Sequence, residues 1–250
     1  MKIVVCVKLV KVLGDEVEFT TGGLDVDPDY LEVALNEWDA CALEEALRIR
    51  ERLGEAEVVV VTAGDKRSEE ALRRCMAMGA DRAIRVDSVV LDPLSTARAL
   101  AAAVAPESAD LVLCGVQSSD SVQGATGTAL SEFLGLPRVA VVKKLDWTGS
   151  GPATVHRELE GGLVDVVEVD TPAVLTIQTG INQPRYATLR AIKLAEQQEI
   201  AVIAGRSVGE PAYRVRRMFS PPKGEGAQML KGSPTEIAGQ IAVIIKERLK

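Results

Sequence analysis

The sequence has one histidine, His156, in 250 residues. That removes most Ser/His/Asp and Cys/His catalysis and most histidine-based metal sites. His156 lies in an alternating stretch, Thr154 to Leu159, and reads as a surface residue of a half-exposed strand. Four cysteines, Cys6, Cys41, Cys75 and Cys114, are widely spaced with no CxxC pair, so neither a zinc site nor an iron–sulfur cluster is expected. They read as reduced, mostly structural thiols of a reducing compartment. Aromatic residues make up only 3%. No apolar stretch approaches the ~20 residues of a membrane span, and no stable membrane association is expected. Basic residues are in deficit. The net charge is −7, with no basic stripe, which argues against nucleic acid as a partner. The first residues, Met1 to Lys8, read as a strand and lack the regions of a signal peptide, so the expected location is cytoplasmic.

What is present is ordinary for a folded globular chain: 47% apolar and 26% charged residues. The first 140 residues or so alternate apolar runs with helical periodicity. Strands are expected at Ile3–Val7, Glu57–Thr62, Ala83–Val86, Asp110–Cys114 and Val139–Val142. Helices are expected from Asn36 or Asp39 to Gly54, from Ser68 to Met78, and over 93–105 and 126–134. Residues 9–35 read as a polar, acidic excursion. This alternation implies a mainly parallel sheet with helices on both faces. In such sheets ligands bind beyond the carboxyl ends of the strands, where the strand order reverses.

After residue 145 the pattern changes. Thr154–Leu159 and Val164–Val169 flank Glu160-Gly161-Gly162, a hairpin signal, and Ala173–Ile177 adds a strand. Residues 180–233 are rich in Pro, Gly and Arg with weak periodicity, and read as an arm that packs on another subunit. A helix from Pro234 to Leu249 carries an apolar stripe of Ile237, Ile241, Ile244 and Ile245. Three parts follow: an α/β domain over 1–180, a docking loop and arm over 181–233, and a terminal helix over 234–250.

The loop after the fourth strand, Gly115-Val116-Gln117-Ser118-Ser119-Asp120-Ser121-Val122-Gln123-Gly124-Ala125-Thr126-Gly127, is small-residued and polar and leads into a helix. Backbone N–H groups there, with Ser and Thr hydroxyls, could hold an anion. It is neither a Walker A loop nor GxGxxG, and taken alone it reads first as an ordinary strand–helix loop and second as a nucleotide site. Cys6-Val7-Lys8, Asn36-Glu37-Trp38-Asp39 and Thr62-Ala63-Gly64-Asp65 should meet it at the same sheet edge. Asn36 and Asp39 could equally be plain helix caps. Gly180 to Arg190 mixes apolar anchors with directional polar groups, as interface hot spots do, or is a solvated loop. Arg214, Arg216 and Arg217 read either as a phosphate grip or as salt-bridge partners.

These blocks together resemble the β subunit of the electron transfer flavoproteins over the whole chain. The resemblance rests on Val5-Cys6-Val7-Lys8, Ala42-Leu43-Glu44-Glu45-Ala46, Met78-Gly79-Ala80-Asp81-Arg82, the 115–127 loop, Arg157-Glu158-Leu159-Glu160-Gly161-Gly162 and Asn182 to Leu189. Asn36 to Asp39, Gly115 to Asp120 and Arg214-Val215-Arg216-Arg217-Met218 look most like the subgroup serving trimethylamine dehydrogenase.

The resemblance implies a Rossmann-like domain and a heterodimer with an α subunit that mainly holds one redox-active FAD. It implies a structural AMP on this chain, at Cys6, Asn36, Glu37, Trp38, Asp39, Ala63 and the run Gly115, Val116, Gln117, Ser118, Ser119, Asp120, Ser121, Val122, Gln123, Gly124, Ala125, Thr126. Trp38 takes the place of an aromatic residue that approaches the flavin, while Leu13 stands where many members have tyrosine. The loop that docks a flavin-dependent dehydrogenase, transiently, falls on Arg185, Tyr186, Ala187, Thr188, Leu189, Arg190, Ala191, Ile192, Lys193 and Leu194, with Leu189 as anchor. The implied role is an electron carrier, not an enzyme. Two alternatives stand beside it. One is a bifurcating relative with a second FAD in the AMP site, against which the Thr126-Gly127 ending argues. The other is a free-standing adenine-nucleotide module.

Overall fold

A computed structural model describes all residues except 15, 89–91, 206–212, 223, 225 and 250. The chain runs β1 (Lys2–Cys6), β2 (Leu9–Leu13), β3 (Leu31–Leu35), α1 (Glu37–Leu53), β4 (Glu57–Gly64), α2 (Glu69–Met78), β5 (Arg82–Asp87) and α3 (Pro93–Val104). It continues through β6 (Leu111–Gly115), α4 (Thr126–Leu134), β7 (Arg138–Asp146), β8 (Ala153–Glu158), β9 (Val164–Val169), β10 (Ala173–Ile177), α5 (Leu189–Gln197), β11 (Ala201–Ala204) and α6 (Pro234–Arg248).

The main sheet has the order β11-β5-β4-β1-β6-β10-β7-β8-β9. Its pairs are parallel from β11 to β7 and antiparallel from β7 to β9. The inner strands are buried on both faces, which is why they read as continuous Val/Ile/Leu runs. Alternate residues feed two cores. Ile3, Val5, Val58, Val60, Leu111 and Leu113 pack with α1 and α2; Val4, Val59, Val61 and Val112 pack with α3 and α4. The chain winds outward from β1 through β4 to β5, then returns to place β6 on the other side of β1. The order therefore reverses between β1 and β6.

Two stretches differ from expectation. Residues 9–35 are not a bare excursion: β2 and β3 form an antiparallel ribbon with Leu9 opposite Leu35 and Leu13 opposite Leu31. Most of its side chains stay exposed or half-buried, so no one-sided apolar alternation marked it. Residues 180–233 are not uniformly irregular either. They contain α5 and β11, and β11 pairs with β5, so the main sheet extends past residue 180. α5 carries an apolar period at Leu189, Ile192 and Ala195, yet buries only Ala195 within this chain. The last helix, α6, begins with a Ser233–Glu236 capping box and buries none of its residues within this chain.

Candidate functional site

A cavity of about 410 Å³ opens at the reversal point, walled by the ends of β1, β4 and β6, the starts of α1, α3 and α4, and the 116–125 loop. Cys6, Asn36, Asp39, Ala63, Gly115, Val116, Gln117, Ser118, Asp120, Ser121, Gln123, Gly124, Ala125 and Thr126 line it. Glu37, Trp38, Ser119 and Val122 are not among its lining residues.

Asn36 stands at the N-cap of α1, yet its side chain makes no capping bond. Instead its Nδ2 donates to the Gln117 carbonyl at 2.8 Å, and its Oδ1 accepts from the Ser119 N–H at 3.2 Å. Asp39 does parallel work one turn on. Its carboxylate accepts the N–H of Lys8 and of Gly115, each at 2.9 Å, and so ties α1 to the ends of β1 and β6. Burial pushes its pKa up to about 7, against the opposing pull of these hydrogen bonds. Gly115 has to be glycine, because a Cβ there would lie 2.6 Å from the Trp38 Cβ and nearer still to the Asp39 carboxylate.

The loop itself is a turn closed by the Val122 N–H to the Ser118 carbonyl at 2.9 Å, with positive φ at Val122 and Gly124. Lys8 Nζ reaches Asp120 at 2.6 Å and Ser118 Oγ at 3.2 Å. Burial works to raise the Asp120 pKa, but Lys8 outweighs it and holds the carboxyl below its ordinary value. α4 begins at the cavity, and its N-cap, Ala125, makes no side-chain capping bond to the first turn. Backbone N–H groups of that turn are the donors a helix leaves without intrahelical partners. With Ser118, Ser121, Gln123 and Thr126 around them, the site has the donor set of an anion cradle beside an apolar floor of Cys6, Val7 and Cys114.

Sequence reading placed Cys6-Val7-Lys8 at this edge but missed other walls. Pro93, Thr96 and Leu100 come from α3, whose Asp92–Ser95 capping box was a usable signal. Tyr213 had none. It arrives from the arm, and its hydroxyl accepts from Gln123 Nε2 at 2.6 Å, both residues lining the cavity.

Trp38 points elsewhere. Its indole N–H donates to Gln178 Oε1 at 2.8 Å, and Gln178 Nε2 donates to Glu158 at 3.3 Å. Lys143 closes on the other Glu158 oxygen at 3.3 Å. Leu13 is 58% exposed at the end of β2. Arg216 and Arg217 are exposed. The Arg217 guanidinium stands 4.8 Å from the Phe219 ring centre and lines a second cavity, not the first.

The segment 185–194 is clamped from behind. Arg185 Nε and Nη2 bind the Glu44 carboxylate at 2.8 and 3.1 Å, the Arg185 N–H adds 3.1 Å, and Nη1 reaches Glu51 at 2.6 Å. Burial works to raise the Glu44 pKa, and Arg185 overrides it, holding the carboxyl below its ordinary value. Asn182 Nδ2 donates to the Cys41 carbonyl at 3.0 Å. Thr188 caps the start of α5, and Arg73 from α2 caps its end through the Ala195 carbonyl at 2.7 Å. Between these clamps Tyr186 and Leu189 stand 89% and 81% exposed.

The fold defines an open α/β sheet protein with a cavity at its topological switch point. The electron transfer flavoprotein domain matches residues 24–206. The electron transfer flavoprotein subunit beta of Methylophilus methylotrophus is 43% identical over 99% of this chain and 98% of its own. That of Syntrophomonas wolfei is 31% identical over 100% and 98%, and that of Mycobacterium tuberculosis H37Rv 35% over 83% and 80%. The chain belongs to the electron transfer flavoprotein β-subunit family. Membership makes it a subunit of a flavin-associated electron carrier, and the β designation implies an α partner. No helix among the described residues is long and apolar enough to cross a membrane.

Proposed function

We propose that this chain holds a structural AMP in the cavity between β1 and β6, shares one FAD with an α subunit, and docks a flavin-dependent dehydrogenase through residues 185–194. The FAD supplies the electron uptake and release. This chain supplies the frame, working in a reducing cytoplasm.

The observation that carries the reading is the cavity itself. It lies at the small end of the ~300–1,000 Å³ range of small-molecule sites. Its floor is apolar, as a purine requires, and its rim offers hydroxyls, backbone donors and Lys8, as one phosphate requires. Its volume favours a mononucleotide over a dinucleotide, and Tyr213 and Gln123, hydrogen-bonded to each other, add polar groups to its lining. The exposed Leu189, held on a helix capped at both ends, supports the docking role. A small, preorganised apolar contact suits a partner that must leave quickly. The likeness of Asn36 to Asp39 and Arg214 to Met218 to the trimethylamine dehydrogenase-serving subgroup makes an amine dehydrogenase the donor to try first.

The test is to denature the chain co-purified with its α subunit and quantify released nucleotides by chromatography and mass spectrometry. One FAD and one AMP per heterodimer supports the reading. Two FAD and no AMP replaces it with a bifurcating flavoprotein. Neither nucleotide, with no α subunit retained, leaves a stand-alone binding module.

A further inference from the structure

The floor of the cavity holds a pair of thiols whose redox chemistry none of these roles uses. Cys6 ends β1, and Cys114 is its in-register partner on β6. Both belong to the same core cluster, so both side chains leave the same face of the sheet. Both are free, both line the cavity, and each is 5% exposed. Adjacent strands lie ~4.8 Å apart. That separation is inside the ~4.4–6.8 Å between Cα atoms that a disulfide spans.

We propose that Cys6 and Cys114, both on the cavity wall, form an oxidisable dithiol that closes to a disulfide with hydrogen peroxide. Cys6 Sγ attacks the peroxide, the O–O bond breaks, and one water leaves with the Cys6 thiol proton. Cys6 is then a sulfenic acid. Cys114 Sγ attacks the Cys6 sulfur, the S–O bond breaks, the S–S bond forms, and a second water leaves with the Cys114 proton. Two electrons pass from the thiols to the peroxide, which ends as two waters. The contact with Cys6, together with burial, raises the pKa of the Cys114 thiol and keeps it protonated, so Cys6 is written as the thiol that meets the peroxide first.

The other two cysteines mark the contrast. Cys41 and Cys75 sit in the opposite core cluster, away from the cavity, at 2% and 0% exposure. Burial pushes the Cys75 thiol well up. A ligand on the cavity floor would cover the Cys6–Cys114 pair and leave the other two unaffected. This shielding rests on the nucleotide reading above; the dithiol does not.

The test uses the full chain with its α subunit, stripped of nucleotide, treated with dilute hydrogen peroxide, alkylated without reductant and digested. The expected result is a Cys6–Cys114 cross-linked peptide, lighter by about 2 Da than the two free-thiol peptides together. Added AMP at concentrations well above its Kd should cut the yield ~10-fold or more. A cross-link that AMP does not suppress supports the dithiol and overturns the nucleotide reading. Sulfinic acid on Cys6 without a cross-link overturns the dithiol, as does equal oxidation of Cys41 and Cys75. The variant C114S should lose the cross-link and carry Cys6 on to sulfinic acid; a persistent cross-link from Cys6 to another cysteine would also overturn the pairing.

Discussion

Arg185 and Glu44 meet through two side-chain hydrogen bonds, at 2.8 and 3.1 Å, and a third from the Arg185 backbone. Glu44 lies on α1, the helix whose first turn supplies Asn36 and Asp39 to the cavity. One helix therefore positions both the cavity and the docking segment. The side chain of Arg185 faces inward onto this helix, while Tyr186 and Leu189 face outward.

The Glu44 carboxyl is held below its ordinary value in the folded chain. Its contribution to stability is therefore complete above the unfolded carboxylate value of ~4.3 and is lost as pH falls through the folded value. Protection factors over 186–194 should fall on acidification before those of the sheet do. Glu44→Gln should lower that protection at neutral pH, because it removes the carboxylate on Arg185 Nε and Nη2 and leaves Glu51 on Nη1 alone, at a cost of ~1 kcal/mol. Unchanged exchange at 186–194 in the variant would remove the clamp from the account.

Leu189→Ala should slow electron uptake from the donor dehydrogenase while leaving FAD and AMP content as they were. Leu189 is 81% exposed, so its truncation costs the fold little. An apolar anchor at the centre of a small interface is worth ~1–2 kcal/mol, which is a ~5–30-fold loss at subsaturating partner. Stopped-flow flavin reduction across donor concentrations reads it. Equal rates at low concentration would place the docking anchor elsewhere.

How much of this was legible depended on burial. The inner strands are buried on both faces, and their Val/Ile/Leu runs gave them away. The β2–β3 ribbon is mostly exposed, and composition alone does not mark an exposed element; α5 does carry an apolar period, but in the sequence Leu189 reads as the anchor of a loop rather than the start of a helix. At the site, the 115–127 loop was visible because small polar residues follow an apolar run and precede a helix. Asn36 was visible as a helix start, but its side chain stitches the loop instead of capping. Nothing local separates those two uses. Tyr213 was invisible because its partner Gln123 lies 90 residues away in the chain. The Cys6–Cys114 pairing was equally hidden, since it depends on β1 and β6 being neighbours.

Gly127→Ala should damage the cavity without touching a ligand group. The added Cβ would sit 2.5 Å from Thr176 Cγ2, with the Cys114 Cβ at 3.5 Å. Neither neighbour can withdraw from the sheet, so the start of α4 must move outward. Overpacking of this kind costs ~1–3 kcal/mol. The expected result is a lower Tm and lost AMP. Ala125→Leu, on the exposed lip of the same cavity, should lose AMP with little change in Tm. AMP retained in both variants would mean the nucleotide lies elsewhere.

Asp39 should give the opposite pH dependence to Glu44. Its folded pKa is raised to about 7, so between the unfolded value of ~3.9 and about 7 the folded chain binds the extra proton. Stability must then fall as pH rises through that window, since the unfolded state binds fewer protons there. The cost is tolerated because the carboxylate answers two backbone N–H groups, of Lys8 and Gly115, that the ends of β1 and β6 would otherwise leave unpaired. Asp39→Asn removes the titration but sets an amide N–H₂ against one of those donors. Its Tm at low pH should therefore lie below that of the parent, and the gap should narrow as pH rises from about 4 to about 7 and stay level above that, where the parent bears the buried charge. A Tm difference that stays constant across roughly pH 4 to 8 would show that Asp39 titrates at an ordinary value, with its two hydrogen bonds outweighing its burial.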